Sequence, residues 1–517
     1  MLQCSPIFTF TDSRLPLQGP KSGGNSCDGY SSIDGSSQGA PFSVSGRGAM
    51  NYVRPIGDAV TSRDSHVPSL PEDSEAVDRR LLTLIDERAS DDDFWSLKDR
   101  DRRDSAHCIF QYPAMMVPLV QRRLLASILE AKPAIQSLYD PFVGSGTSLV
   151  SGMHFGLGVY GNDVNPLAVL ISRVRTARVT EFTIGAIVSQ IVREANGDRR
   201  GTIDCTLPNR EKWFHDAVSI ELSRLRRAIR RQSNLWVRRF LWVTLAETVR
   251  LTSNDRTSTY KLHARPADEI AKRVLSPIKL FEEIGAINAE SFADFRSELR
   301  ARAQLKAGKY GADTKVKMGD TRDLSRSWSD RSFDLIMTSP PYGDNMTTVT
   351  YGQHSYLPLH WIDYQDIDAG ADLETLRTTQ EIDRRSLGGW AHENSWSEER
   401  LLDSSPALRG CAESLPATPA DGRTRLLRFY ADFAASLDSI AETVKPNGYM
   451  VWTVGNRNIG GRQVPTDVIL SEMLSAQSCT VLKTLTRKIH HKRMPDRNAS
   501  SATMREEKIL LVRKLAR

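Results

Sequence analysis

The chain has 517 residues, 40% of them apolar, and a formal net charge of +6. That length exceeds one ordinary domain and supports a large core with insertions. No run is apolar and long enough for a membrane span, no charged-then-apolar signal segment opens the chain, and the mild positive balance permits a polyanionic partner without requiring one.

The six cysteines are scattered with no Cys-x-x-Cys pair, so no metal site is expected and a reducing cytoplasm fits. Residues 1–75 are rich in Ser, Gly, Asp and Pro and bury too little apolar area to order themselves, so disorder is expected there. Met50 lies inside this segment as an alternative translation start. A short charged helix is expected within 76–104, around Leu81, Leu82 and Ile85. A loop over 107–118 and an amphipathic helix through Leu124, Leu125 and Ile128 follow.

A strand over 135–139 then ends in Asp140-Pro141-Phe142-Val143-Gly144-Ser145-Gly146-Thr147, and a helix runs from Leu149 to Phe155. Strand, glycine turn and helix open a nucleotide-binding βαβ unit. Gly144 and Gly146 permit close backbone approach to a ligand, and the N–H groups at the helix start suit a carboxylate. A bare Gly-x-Gly is weak evidence, and Leu149 occupies the third glycine position of the dinucleotide fingerprint. A second strand over 158–163 closes on Asp163, just before Asn165-Pro166. An acid in that place commonly takes ribose hydroxyls. Its spacing of roughly 20 residues from the glycine turn favours that role over a helix N-cap.

Residues 180–312 interrupt the alternation with helical patterns. Val218, Leu222, Leu225 and Ile229 form one apolar stripe. Arg224, Arg226, Arg227, Arg230, Arg231, Arg238 and Arg239 make the stretch basic, with Trp213, Phe214, Trp236 and Trp242 among them. A charge run alone reads as a solvated face. The alternation resumes with a strand over 314–318, followed by Asp320. The apolar run 333–337 reads as a buried strand and leads into Thr338-Ser339-Pro340-Pro341-Tyr342. Two prolines end regular structure there and hold the preceding backbone extended. The result is a rigid ledge at a strand's carboxyl end, the edge at which open α/β sheets bind ligands. Residues 343–365 are polar and aromatic, and 366–422 form a charged insertion expected to be partly mobile. A helix over 424–444, a strand over 449–454, a helix over 465–474 and a closing strand pair (481–489 and 508–512) complete the chain, with a basic loop at 490–498.

The Asp140 to Thr147 string and the 338–342 ledge, in this order, resemble the amino-methyltransferases, which methylate exocyclic amines of nucleic-acid bases with S-adenosylmethionine. The serine form of their Pro-Pro motif is most typical of the cytosine-N4 DNA methyltransferases. The resemblance implies a Rossmann-like class I methyltransferase fold: an α/β, mostly parallel sheet with an antiparallel closing strand, plus a large helical insertion. It implies S-adenosylmethionine as cofactor and DNA as partner, with a cognate restriction endonuclease or defence-system subunits. Tyr112 and Pro113, with Ala114, match the loop that holds the cofactor's methionine end. Asp140, Phe142, Gly144, Ser145, Gly146 and Thr147 match the cofactor turn, and Asp320, with Asp323 as a weaker candidate, matches the group that reaches the adenine amine. At the ledge, Ser339 and the Pro340 carbonyl are expected to accept from the base amine. Pro341 stiffens the turn, and Tyr342 stacks on the flipped ring.

The divisions expected are a cofactor half (76–179), a basic insertion (180–312), a catalytic part (313–365), the second insertion (366–422) and a C-terminal part (423–517). Beside such motifs the basic stretch becomes a candidate phosphate-contacting surface, with target recognition in 180–312, 366–422 or both. Ring-carbon methylation needs a Pro-Cys nucleophile, and the chain has no such dipeptide. Adenine-N6 methylation, RNA base methylation and a catalytically silent DNA-binding subunit stand as alternatives.

Overall fold

Apolar runs bounded by turns pair into one seven-stranded sheet in a computed structural model of the chain. The structure describes residues 73–89, 93–97, 105–180, 183–257, 260–323, 328, 330–343, 348–389, 396–415, 422–459, 462–489 and 505–516. Met50, nearly all of the segment expected to be disordered and the basic loop 490–498 lie outside the described residues.

The strands are β1 (Ser137–Asp140), β2 (Gly158–Asp163), β3 (Thr314–Met318), β4 (Phe333–Thr338), β5 (Val444–Val454), β6 (Cys479–Lys488) and β7 (Glu506–Lys514). Their spatial order is β6-β7-β5-β4-β1-β2-β3. The five strands from β5 to β3 run parallel, while β7 is antiparallel to both β5 and β6. This is the expected Rossmann-like class I methyltransferase fold, with its antiparallel closing strand.

Parallel strands covered on both faces read as continuous apolar runs, and Leu335, Ile336 and Met337 of β4 are fully buried. Side chains alternate between faces along a strand. Leu335, Met337, Tyr449 and Val451 accordingly enter one core, and Ile336, Met450 and Trp452 the other. The first core continues into the inserted helices Ile184–Gly197, Asp216–Arg230, Leu235–Thr252 and Pro277–Ala301. The insertion is therefore fused to the sheet's own core.

The basic stretch is largely paired within the molecule, with Arg230 and Arg231 still exposed. Trp213, Phe214, Trp236 and Trp242 are buried. Arg226 and Arg230 pair with Asp363, Arg227 with Asp198 and Asp204, Arg231 with Glu194, and Arg238 with Asp366. Arg239 donates to the Asp366 carbonyl at 2.6 Å, and Arg224 reaches the Arg200 carbonyl at 3.4 Å. The acidic turn after the helix Tyr351–Leu359 takes up much of this charge. The described parts of 366–422 are packed against the rest of the chain. Leu376, Ile382, Leu387, Leu401, Leu402 and Leu408 are buried, and Gly388 N donates to Asp432 at 2.9 Å. Near the N-terminus, the helix Ser74–Arg88 starts inside the segment expected to be disordered, capped by Asp73.

Candidate cofactor and base site

The site lies at the carboxyl ends of β1, β2, β3 and β4. Gly144 and Gly146 adopt left-handed backbone, with φ of 48° and 83°, which glycine alone takes without strain. A Cβ on Gly146 would stand 3.0 Å from Ser172 Oγ. Ser172 uses that hydroxyl to donate to the Gly144 carbonyl at 2.8 Å. The turn is thus fastened to the helix Pro166–Arg175 that follows β2.

Asp140 ends β1 and is wholly buried. It accepts from Phe142 N at 3.0 Å, from Thr338 Oγ1 at 2.6 Å and from Ser148 Oγ. One carboxylate therefore ties the glycine turn, the helix after it and the end of β4 together. Burial raises its pKa to about 6, opposed by hydrogen bonds from Ser148, Thr338 and Phe142. Asp140 is not among the residues that line the cavity, and its oxygens are engaged by the backbone and hydroxyls that shape the turn.

Asp163 does line the cavity. It accepts from Gly144 N at 2.8 Å and from Asn165 N at 2.8 Å. Burial raises its pKa to about 6, against those same backbone donors. Asn165 adds a connection that was not expected from the sequence. Its Nδ2 donates to Tyr112 Oη at 3.0 Å and to Ser355 Oγ at 2.8 Å, and its Oδ1 caps the next helix through Leu167 N. The Tyr112 ring stacks on Tyr351 at 5.7 Å.

Asp320 also lines the cavity and is gripped by Arg322, whose Nε lies 2.9 Å from Oδ1. Arg322 also pairs with Asp432 at 2.7 Å and donates to the Arg385 carbonyl at 3.1 Å. Asp323 is not among the lining residues. At the ledge, Ser339 and Pro341 face the cavity, while Pro340 and Tyr342 do not. The Tyr342 hydroxyl stands 3.2 Å from Ser339 Oγ and 3.2 Å from Glu507 Oε1. That tether holds the hydroxyl edge of the Tyr342 ring.

The cavity encloses about 850 Å³ of empty space, part of it open to solvent. Most of the residues expected at the site line this one space: Tyr112, Pro113, Ala114, Phe142, Gly144, Ser145, Thr147, Asp163, Asp320, Ser339 and Pro341. Gly146 stands behind the turn, beside Ser172. Ile382, Arg385, Ser386 and Leu387 close a further wall, and no sequence signal marked them.

Arg175 was missed as well. It is fully buried and donates to the carbonyls of Ser145 at 2.6 Å, Phe110 at 3.0 Å and His107 at 3.2 Å. It thus locks the loop before Tyr112 to the glycine turn. The available signal was a charged residue closing an otherwise apolar helix, Pro166–Arg175.

No family model matches the chain. It is 29% identical over 458 residues to the Type II methyltransferase M.MvaI of Kocuria varians, which covers 84% of this chain and 97% of that protein. That likeness, running through nearly all of both chains, supports a methyltransferase. Among solved structures, the rRNA methyltransferase aviRa of Streptomyces viridochromogenes aligns at 14% identity with a TM-score of 0.28, over 81% of this chain and 97% of that one.

Proposed function

We propose that the chain is an S-adenosylmethionine-dependent DNA methyltransferase that methylates the exocyclic N4 amine of cytosine at a specific site, within a restriction–modification or phage-defence system. The observation that carries the reading is the single cavity in which the glycine turn, Asp163 and Asp320 face Ser339. The likeness to a Type II methyltransferase supports DNA as the substrate, and the serine of the ledge favours cytosine over adenine by the resemblance it carries.

The residues present fit the cofactor. Asp163 closes β2 where ribose hydroxyls are taken, and Asp320 stands past β3 for the adenine amine. The backbone of 144–147 and the 112–116 loop receive the methionine end. When bound, the cofactor supplies an electrophilic methyl carbon on a sulfonium sulfur.

The chain's own residues do the rest. An exocyclic amine is a poor nucleophile because its lone pair is delocalised into the ring. The base leaves the duplex to be reached, at a cost of a few kcal/mol. Ser339 Oγ, which lines the cavity, accepts an amine hydrogen and draws the nitrogen toward tetrahedral geometry. The two prolines hold that acceptor still, and positioning of this kind contributes roughly 7–11 kcal/mol in good cases.

Mass spectrometry of nucleosides from DNA incubated with the protein and S-adenosylmethionine tests the reading. N4-methylcytosine is expected. N6-methyladenine would move the target base while keeping the site. No methylated nucleoside, on mixed-sequence DNA and then on RNA, sinks the enzyme reading.

A further inference from the structure

Behind the ledge, a chain of polar groups runs from Ser339 into the antiparallel end of the sheet. Ser339 Oγ and Glu507 Oε1 flank the Tyr342 hydroxyl at 3.2 Å each. Glu507 lies on β7 directly opposite Arg487 on β6, and the two form an ion pair. Both are buried, at 6% and 3% exposure. A buried carboxylate facing a guanidinium is ionised, and an ionised carboxylate only accepts hydrogen bonds. Tyr342 has one hydrogen to give, and Glu507 takes it. The phenol remains protonated, since burial and then the Glu507 charge push its pKa well above the usual range. Its oxygen can then only accept from Ser339. The one hydrogen of Ser339 is committed to Tyr342, which leaves its oxygen with only lone pairs to offer a group in the cavity that Ser339 lines.

We infer that the Arg487–Glu507–Tyr342 chain fixes Ser339 as a hydrogen-bond acceptor and thereby selects an amino group over a keto oxygen at the same ring position. A free serine hydroxyl would serve either group, by accepting from the amine or donating to the oxygen. The inference rests on the proposed reaction and deepens it. It makes Tyr342, Glu507 and Arg487 positioning residues that act through Ser339.

Mapping the methylated positions in mixed-sequence DNA gives a duplex that carries the target. Binding is then measured, with S-adenosylhomocysteine present, for that duplex and for one whose target amine is replaced by oxygen (uracil for cytosine, hypoxanthine for adenine). The wild type should prefer the amino duplex by about tenfold or more, because the keto oxygen leaves Ser339 facing an unpaired acceptor. In Tyr342→Phe and Glu507→Gln the preference should fall below about threefold, with S-adenosylmethionine affinity by calorimetry within about twofold of wild type. Tyr342→Phe leaves the Arg487–Glu507 pair whole, so it decides the matter if Glu507→Gln does not fold. Equal binding of both duplexes by the wild type, or an unchanged preference in Tyr342→Phe, overturns the inference and leaves the reaction standing. Failure of the wild type to methylate any DNA overturns both and is seen at the mapping step.

Discussion

The glycine-turn end of the molecule and the inserted helices are both held by arginines and carboxylates, but in different ways. At the turn, Asp140 and Arg175 are fully buried and bind backbone groups and hydroxyls. On the insertion, Arg226 and Arg230 meet Asp363 with side-chain exposures of 16%, 49% and 23%. A buried group left without partners costs its full desolvation penalty, whereas a solvent-exposed ion pair contributes little. The first arrangement fixes the shape of a site, and the second fastens an element whose exact seating matters less.

The sharpest test of that difference is Arg175→Met. It strands three buried carbonyls, and a loss of about 3–5 kcal/mol in denaturant unfolding is expected, together with weakened S-adenosylmethionine binding. A loss under about 1 kcal/mol would put the turn in the same class as the insertion. Ser339→Ala probes the same end without touching its frame. Methyl transfer should fall about a hundredfold or more, while cofactor affinity and Tm stay near wild type. A fall in cofactor affinity instead would mean that the ledge belongs to the cofactor's own pocket.

The pH dependence distinguishes the two regions further. Asp140, raised to about 6 by burial against its hydrogen bonds, holds its proton more tightly folded than unfolded. Its contribution to stability is therefore greatest at low pH and declines as pH rises from about 4 to about 6, by on the order of 3 kcal/mol. Asp140→Asn should flatten that part of the curve, as read from Tm against pH. Asp163, raised to about 6 by burial against its backbone donors, would in its proposed role accept ribose hydroxyls best when ionised. Cofactor affinity should accordingly weaken as pH falls below about 6, approaching tenfold per unit well below it, and Asp163→Asn should remove that slope. The smallest effect is expected on the insertion. Asp363→Ala should cost about 1 kcal/mol or less, and less still at high salt. A cost matching that of Arg175→Met would erase the contrast.

Much of the site was legible because its signals are local. A continuous apolar run, a glycine required at positive φ and a Pro-Pro stop each act within a few residues, so β1, β4, the turn and the ledge could be read directly. The role of Asp140 could not, since an acid ending a strand serves equally to meet a ligand or to brace a turn. The pairing of the arginines of 224–239 was hidden for a related reason: their sequence shows charge, while the carboxylates of Arg226, Arg230 and Arg238 lie in a distant turn and those of Arg227 and Arg231 in the preceding helix and loop.

By itself the sequence determined the α/β order and the residues at the two ends of the cavity. Only the tertiary structure decided which polar groups face that cavity. Arg175, the wall at 382–387 and the link from Tyr342 to Glu507 all depend on strands and helices far apart in sequence meeting in the sheet. A local pattern fixes what an element is, but the partners of its buried hydrogen bonds are chosen by packing.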